Sequence, residues 1–382
     1  MGEELLPVEG PAELRMRRSA KWRAQQADVL PLTIAEMDFP LAPAVRDVLR
    51  TAVERSDTGY GFAGDEFPAA LAGFAGRRWG WEIDPARVVA TTDVSTGVVA
   101  LLRAVARPGE TVVMNTPSYP PFPAWLDEAG VRRVEVPLAG AGLDLAALER
   151  AFAARPAAYL LCNPQNPTGR VHSPEELAEV VALARRHGVL VVSDEIHAPL
   201  TLPGAVFTPL LTVPGAAETA LSVVSASKAW NLAGLKCAAI VAGSAAMAEV
   251  TDRLPADTRW RIGHLGVLAS IAAFTEGEAW LDRLLATLDD RRRFLGDLLE
   301  RELPGVGWQR PEATFLAWLD CAGLPTGEDT ARVALERGRV AFEEGRRFGP
   351  DSAGHVRLNF ATSREILTEA VTRLAGAVAA GA

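Results

Sequence analysis

Cysteine is scarce in this sequence, and no apolar stretch is long enough to cross a bilayer. The 382 residues include three cysteines, Cys162, Cys237 and Cys321, and five histidines. Because the cysteines are odd in number and show no CxxC spacing, they predict neither a disulfide framework nor a zinc site, and a reducing compartment suits them. A membrane-spanning helix needs about 20 apolar residues in a row, and the acidic N-terminus does not resemble a signal peptide. We therefore predict a cytoplasmic protein with no metal site and no membrane partner.

An excess of basic residues is also absent. Lysine and arginine total 39, against 48 aspartates and glutamates, which gives a formal net charge of −9. An acidic chain is poorly suited to bind the phosphates of nucleic acid, so we expect no nucleic-acid partner. The basic run Arg291–Arg293 directly follows Asp289 and Asp290. This mixture of charges predicts a solvated helix face.

Short apolar runs alternate with helical patterns through most of the chain. The runs that predict strands are Val88–Thr91, Val112–Met114, Tyr159–Cys162, Val189–Val192, Leu221–Val224 and Ala238–Val241. Runs that are apolar on both faces and separated by helices are typical of a parallel sheet covered on both sides. One helix has a clear start, because Ser173, Pro174 and Glu176 form an N-cap, a first-turn proline and a capping box. We predict an α/β fold with a mostly parallel central sheet.

A change of pattern near residue 280 divides the chain. The spacing of apolar residues from Glu278 to Leu303 predicts one long helix, which Pro304 ends. A smaller α+β pattern follows this helix. The chain length of 382 residues also predicts more than one domain, because it is too long for one ordinary core. We predict an N-terminal arm at 1–48 that packs with the small domain, a large domain at 49–280 and a C-terminal small domain at 281–382.

Polar clusters stand directly after the predicted strands. They occupy residues 93–97, 116–120, 163–169, 193–197 and 225–228. Ligands of open α/β sheets bind beyond the carboxyl ends of the strands, so these clusters predict a binding site. No GxGxxG follows a strand, and GxxxxGK[ST], HExxH and GxSxG are absent. The usual dinucleotide loop, phosphate loop, zinc-protease helix and nucleophile elbow are therefore excluded.

Each cluster alone has an ordinary structural interpretation. Lys228 follows a predicted strand, where a surface lysine in a loop is the simpler explanation. Asp194 follows another apolar strand and is either a helix cap or a functional carboxylate. The turn at 163–169, NPQNPTG, is explained by rigidity alone. Their occurrence together, in this order, is far more specific.

Taken together, these segments resemble pyridoxal-phosphate (PLP) enzymes of fold type I. The similarity is greatest to the cystathionine β-lyase, or MalY/PatB-like, branch of the class I/II aminotransferases. The shared motifs are MDFP at 37–40, TPSYPPF at 116–122, CNPQNPTGR at 162–170, VVSDEIH at 191–197, SKAWNLAGLK at 227–236, TFLAWLD at 314–320 and VRLNFA at 356–361. They are spread over almost the whole chain, and the resemblance implies an aspartate-aminotransferase-like fold with PLP as the cofactor.

The resemblance implies roles for four residues around the cofactor ring. Lys228 would hold the cofactor as a Schiff base and act as the base at the substrate Cα. Asp194 would pair with the pyridinium nitrogen and keep it protonated, which makes the ring an electron sink. Asn166 would hydrogen-bond the phenolic oxygen, and Tyr119 would stack on the ring face.

Other positions are implied to hold the phosphate, the substrate and a second subunit. The phosphate contacts would be Ser95, Thr96 and Gly97 at a helix N-terminus, together with Ser225, Ser227 and Lys236. Arg357 would clamp the α-carboxylate of an amino-acid substrate in a bidentate fork, with Asn166 and Tyr60 beside it. Because Tyr60 would reach the phosphate of a neighbouring subunit, the resemblance implies a homodimer with shared active sites.

Three functions remain open. The branch favours elimination of a thiol from an L-cysteine thioether, which leaves pyruvate and ammonia. Transamination between an amino acid and a 2-oxo acid shares the first steps and is the alternative. A PLP-binding regulatory protein with little catalysis is the third. The sequence departs from the branch pattern at Thr33, Glu36 and Trp230, and these positions concern the substrate rather than the cofactor.

Overall fold

The computed structural model describes residues 5–380, so the outermost ends of the predicted arm and small domain, residues 1–4 and 381–382, lie outside it. Its strands are β1 (Leu30–Pro31), β2 (Val88–Thr91), β3 (Thr111–Thr116), β4 (Arg132–Pro137), β5 (Ala158–Cys162), β6 (Leu190–Asp194), β7 (Ala220–Val224), β8 (Ala238–Ala242), β9 (Gly307–Trp308), β10 (Leu316–Asp320), β11 (Val340–Ala341), β12 (Glu343–Glu344) and β13 (His355–Asn359). The α-helices are α1 (Pro11–Leu14), α2 (Ala20–Arg23), α3 (Pro43–Glu54), α4 (Glu66–Trp79), α5 (Val94–Val105), α6 (Pro121–Ala129), α7 (Leu145–Ala153), α8 (Pro174–His187), α9 (Ala245–Asp252), α10 (His264–Glu276), α11 (Glu278–Glu302), α12 (Thr330–Glu336) and α13 (Arg364–Ala379).

A seven-stranded sheet forms the centre of the fold, in the order β2, β8, β7, β6, β5, β3, β4. Only β8 runs against the others, pairing antiparallel with both β2 and β7. The predicted mostly parallel sheet is thereby confirmed. The strands β5, β7 and β8 are buried along their whole length. Helices cover both faces of such a sheet, which is why these strands are almost wholly apolar in the sequence, with Ser222 of β7 the exception.

Helix α8 begins where the capping pattern predicts. The Ser173 hydroxyl accepts the Glu176 N–H at 3.2 Å, and the Glu176 carboxylate accepts the Ser173 N–H at 2.9 Å. The edge strand β4 was not predicted. Its first three side chains are exposed, so it lacks the apolar run by which the interior strands are recognised.

A second sheet, antiparallel throughout, has the order β12, β13, β10, β9. With α11, α12 and α13 it forms the predicted smaller α+β part. The strand β1 pairs with β11, so the N-terminal segment contacts this part of the chain. The domain boundaries at residues 48 and 280 stay a prediction. None of the helices within residues 5–380 has the length and apolarity that a membrane crossing requires.

The prediction of a solvated face at Arg291–Arg293 is wrong for the first two residues. Arg291 and Arg292 are each only 8% exposed. The Arg291 guanidinium donates to the Thr362 carbonyl at 3.0 Å, and that of Arg292 donates to the Pro311 carbonyl at 2.6 Å. These side chains fasten α11 to the loops around it, and a local charge pattern does not reveal carbonyl partners so distant in sequence.

Candidate active site

A cavity of about 160 Å³ lies at the carboxyl ends of β5, β6 and β7. Seven of the predicted residues line it: Ser95, Tyr119, Asn166, Asp194, Ser227, Lys228 and Lys236. Parallel strands bring their carboxyl ends to one edge of a sheet, so the polar clusters that follow them meet there. Because β8 is antiparallel, the segment just before it, with Lys236, reaches the same edge.

The other predicted residues lie around this cavity or away from it. Thr96, Gly97 and Ser225 do not line the cavity themselves. A Cβ on Gly97 would lie 3.0 Å from the Thr91 methyl group. The absence of a side chain therefore lets α5 pack closely on the sheet. Arg357 is buried beside Asn166. Tyr60 is 88% exposed and does not line the cavity of its own chain.

The amine of Lys228 is directed at the N-terminal segment. Its Nζ donates a hydrogen bond to the Ala35 carbonyl oxygen at 3.1 Å. The Asn359 side-chain amide holds this segment in place, because its nitrogen donates to the carbonyls of Ile34 and Glu36, each at 2.7 Å. A backbone acceptor on a fixed segment thus orients the lysine.

The environment of Lys228 makes its amine a weaker base than usual. Burial and the nearby Arg357 charge lower the pKa of Lys228 to about 8, although the charges of Glu36 and Asp194 oppose this. An amine with this pKa is partly neutral at physiological pH. General-base catalysis requires such a neutral amine, with a pKa close to the working pH.

Asp194 is the buried carboxyl group of the cavity. Its Oδ1 accepts the Ile196 N–H at 3.1 Å. Burial raises the pKa of Asp194 to about 7, although this hydrogen bond and the Lys228 charge act in the opposite direction. A cationic ligand group beside this buried carboxyl would favour its ionised form, so the site is suited to bind a cation.

Asp194→Asn should stabilise the cofactor-free protein at high pH more than at low pH. The unfolded state releases the Asp194 proton near its ordinary pKa of 3.8, whereas the folded state retains it to about 7. The cost of burying this carboxyl is absent below the unfolded pKa and complete above the folded one. Asparagine does not titrate, so its advantage in unfolding free energy should grow by about 2.6 kcal/mol between pH 5 and pH 8.

Urea unfolding of both proteins at the two pH values measures this difference. The exposed Asp320 supplies the control, because Asp320→Asn should show no such pH dependence. An advantage of Asp194→Asn that stays constant between pH 5 and pH 8 would contradict a raised pKa.

Two aromatic rings, Tyr119 and Trp125, line the cavity, and Phe122 packs against them from the core. Tyr119 lies edge-on to Phe122 and Trp125, with ring centroids 5.9 and 5.7 Å away. Residues at this i, i+3, i+6 spacing fall on one face of a helix start. The neighbouring rings hold Tyr119 in position, as a stacking role requires.

Asn166 and Arg357 join the two sheets at the cavity. The Arg357 Nη1 donates to the Asn166 Oδ1 at 3.0 Å, and its Nη2 donates to the Thr33 carbonyl at 3.0 Å. The guanidinium lies over the Phe348 ring, with its carbon 5.0 Å from the ring centroid. Its Nε is buried and has no hydrogen-bond partner within residues 5–380. The arginine therefore keeps a donor for a ligand, and the Asn166 amide nitrogen is oriented as another.

The N-terminus of α5 provides the polar end of the cavity. Asp93 is its N-cap, and its carboxylate accepts the Thr96 N–H at 2.8 Å and the Ser95 hydroxyl at 2.6 Å. The Gly97 N–H donates to the Asp93 carbonyl at 3.0 Å. Two of the three predicted phosphate donors are thus engaged inside the helix, and Ser95 alone among them lines the cavity.

The two predicted serines, Ser225 and Ser227, have different contacts at this end of the cavity. The Ser225 hydroxyl donates to the Cys237 carbonyl at 2.7 Å and accepts the Ser227 N–H at 3.1 Å. It therefore connects the end of β7 to the start of β8. Ser227 and Lys236 face the cavity, and they remain the side-chain candidates for an anion.

Several residues line the cavity beyond those to which the sequence assigned a role: Asp93, Trp125, Cys162, Ile196 and His197. Asp93, Ile196 and His197 stand in the polar clusters that predicted the binding site, whereas Trp125 and Cys162 lie outside them. The sequence could have revealed Trp125, since it continues the aromatic spacing of Tyr119 and Phe122. It could also have revealed Asp93, because this residue opens a polar cluster at an N-cap position. It could not have revealed the Ala35 carbonyl, because every residue carries that group.

Comparison with known proteins identifies relatives over nearly the whole chain. The profile of the family Aminotransferase class I and II matches residues 27–374. A protein of Mycobacterium leprae is 47% identical, with 96% of this chain and 96% of its own length covered. A cystathionine beta-lyase of Corynebacterium glutamicum is 36% identical, with 95% and 97% covered. The crystal structure of the PLP-bound C-S lyase from Staphylococcus hominis superposes with a TM-score of 0.88 at 25% identity, covering 98% of each chain.

Proposed function

The chain belongs to the aminotransferase class I and II family, and from this premise we propose that it is a PLP-dependent C–S β-lyase. It cleaves an L-cysteine thioether, with one water, into a thiol, pyruvate and ammonia, a reaction class suggested by its similarity to a cystathionine beta-lyase. One observation supports the chemistry most directly. The Lys228 amine and the Asp194 carboxyl lie in one cavity, each with a pKa moved towards neutrality by burial.

The residues present fit PLP. Asp194 offers a buried carboxyl to a ring cation, and Tyr119 offers a ring face. Ser227 and Lys236 offer donors to a phosphate at the opposite end. When bound through Lys228, PLP supplies an electron sink that stabilises negative charge at the substrate Cα.

Lys228 has the properties of the base that moves the Cα proton. The amine has a pKa of about 8, so a neutral fraction is present at physiological pH. Its hydrogen bond to the Ala35 carbonyl holds the nitrogen against the N-terminal segment. The same amine covalently holds the cofactor between turnovers.

Arg357 binds and orients the substrate. Its Nη1 and Nη2 each donate one hydrogen bond, to Asn166 and to the Thr33 carbonyl, and its buried Nε has no partner within the described chain. Burial lowers the pKa of Arg357 to about 10, so it is still a cation at neutral pH. A cation held in this way favours the α-carboxylate of an amino acid.

Incubation of the purified, PLP-loaded protein with L-cystathionine, without any 2-oxo acid, tests the proposal. Steady release of pyruvate together with a free thiol is expected, because elimination needs no amino acceptor. Absence of both products, with a slow conversion of the cofactor that an added 2-oxo acid reverses, would assign the protein to transamination. Cofactor binding without product from any amino acid would leave the regulatory alternative.

We also place the protein in the cytoplasm. Its cysteines Cys162, Cys237 and Cys321 are free and buried. A protein that uses its cysteines as small buried side chains is suited to a reducing compartment.

A homodimer with shared sites is supported by an exposed aromatic cluster. Tyr60, Phe62 and Trp260 are 88%, 76% and 61% exposed. Gly61 fastens this segment to its neighbour, since a Cβ there would lie 2.5 Å from the Ile262 carbonyl oxygen. Large exposed aromatics held on a fixed segment are typical of a surface that another chain covers. We propose that a second copy covers it and that Tyr60 enters the partner's cavity.

Mixing two inactive variants should restore activity. Lys228→Ala chains keep Tyr60, and Tyr60→Ala chains keep Lys228, so a mixed dimer contains one complete site. Co-refolded equal amounts should show about a quarter of the wild-type rate, because half of the dimers are mixed and one of two sites is complete. A rate equal to the mean of the two separate variants would contradict shared sites.

A further inference from the structure

An ionised carboxylate lies at the end of the cavity where a phosphate would bind. Asp93 lines this end together with Ser95, Ser227 and Lys236. Its carboxylate accepts the Ser95 hydroxyl at 2.6 Å and the Lys236 ammonium at 2.9 Å. Two of the donors available to an anionic ligand are therefore bound to an anion of the protein itself, and Ser227 is the third.

The charges around the cavity are evenly balanced. Its basic lining residues are Lys228 and Lys236, and its acidic ones are Asp93 and Asp194. Because Lys228 is assigned to the covalent attachment of the cofactor, Lys236 is the lysine that remains for a phosphate. Within the described chain, its positive charge is already neutralised by Asp93.

We propose that Asp93 is a positioning residue that sets the affinity of the site for the cofactor phosphate. It holds Lys236 and the Ser95 hydroxyl in place, and an arriving phosphate must share both donors with it. The inference rests on PLP being the cofactor. It adds a residue whose charge opposes cofactor binding, and so keeps the cofactor exchangeable.

The carboxylate is fixed where it acts. Although burial favours its neutral form, hydrogen bonds from Ser95, Thr96 and Lys236 prevail and lower the pKa of Asp93 to about 2. The Asp93 side chain is 28% exposed and its carboxylate is bound to the start of α5, whereas the Lys236 side chain is 52% exposed and can move. The carboxylate therefore stays in place when an anion enters, and its repulsion of a phosphate persists.

Asp93→Asn isolates the charge from the capping role. Asparagine is as good an N-cap as aspartate, so α5 should keep its start. Removal of one negative charge a few ångströms from a phosphate should tighten PLP binding by about tenfold. The dissociation constants of PLP and of pyridoxal, which lacks the phosphate, are measured by absorbance titration of the cofactor-free protein. Pyridoxal binding should stay unchanged, since it uses the ring end alone.

Lys236→Met provides a second measurement. Without the lysine, the Asp93 charge is unshielded, so Asp93→Asn should improve PLP binding more in Lys236→Met than in wild type. Unchanged or weaker PLP binding in Asp93→Asn, or an equal shift for pyridoxal, would overturn the inference. Failure of the wild-type protein to bind PLP at all would instead refute the proposed function.

Discussion

Lys228→Ala is expected to lower thiol release from L-cystathionine by at least about a thousandfold and to abolish covalent attachment of the cofactor. No other lysine of the described chain lines the cavity except Lys236, which is bound to Asp93 at the opposite end. The variant therefore loses both the attachment point and the base at the Cα. Mass spectrometry after borohydride reduction measures attachment, and a coupled pyruvate assay measures the rate.

Lys236→Ala is the matched control for this substitution. It removes a lysine from the same cavity but should leave the reduced cofactor adduct on Lys228. If borohydride still fixes the cofactor to Lys228→Ala, another residue carries it and the assignment fails. A slow rate rescued by added methylamine would be further support, because a small amine can take the place of the missing base.

Arg357→Ala is expected to reduce kcat/KM by about a hundredfold or more, with most of the loss in KM. The side chain is 4% exposed and donates to Asn166 and Thr33. Its removal deprives the substrate carboxylate of its cation and leaves the buried Asn166 oxygen without its donor, which costs about 1–3 kcal/mol. Steady-state kinetics with L-cystathionine gives the two constants separately.

The conservative variant separates binding from folding. Arg357→Lys keeps the charge but cannot make the same planar fork, so it should recover stability more than kcat/KM. Arg347, whose side chain is 61% exposed, is the control, and Arg347→Ala should have almost wild-type kinetics. Wild-type KM in Arg357→Ala would remove this residue from the substrate site.

Much of the fold could be predicted because the interior strands are recognisable from their apolar sequences alone. β5, β7 and β8 are buried on both faces, so their sequences are almost wholly apolar, with Ser222 the exception in β7. The edge strand β4, with exposed side chains, could not be recognised in this way. Lys228 and Asp194 could be predicted for a related reason, because strand ends are where an α/β sheet binds ligands.

The remainder of the site depends on contacts between distant parts of the chain. Arg357 reaches Asn166 across 191 positions, and Lys228 reaches the Ala35 carbonyl across 193. Packing of the two sheets and the N-terminal segment decides such contacts, and a carbonyl group has no sequence signature. The raised pKa of Asp194 also arises from burial, which is a property of the assembled core.

The sequence by itself determined the class of fold, the family resemblance and the residues that meet at the sheet edge, because strand patterning and motifs are local. The tertiary structure decided which of these residues are still free to bind a ligand. The N–H groups of Thr96 and Gly97 bond locally to the N-cap residue Asp93, whereas Lys236 meets Asp93 across 143 positions and Ser225 donates to the Cys237 carbonyl. A polar group binds a ligand in competition with partners from its own chain, and only folding brings the distant partners into place.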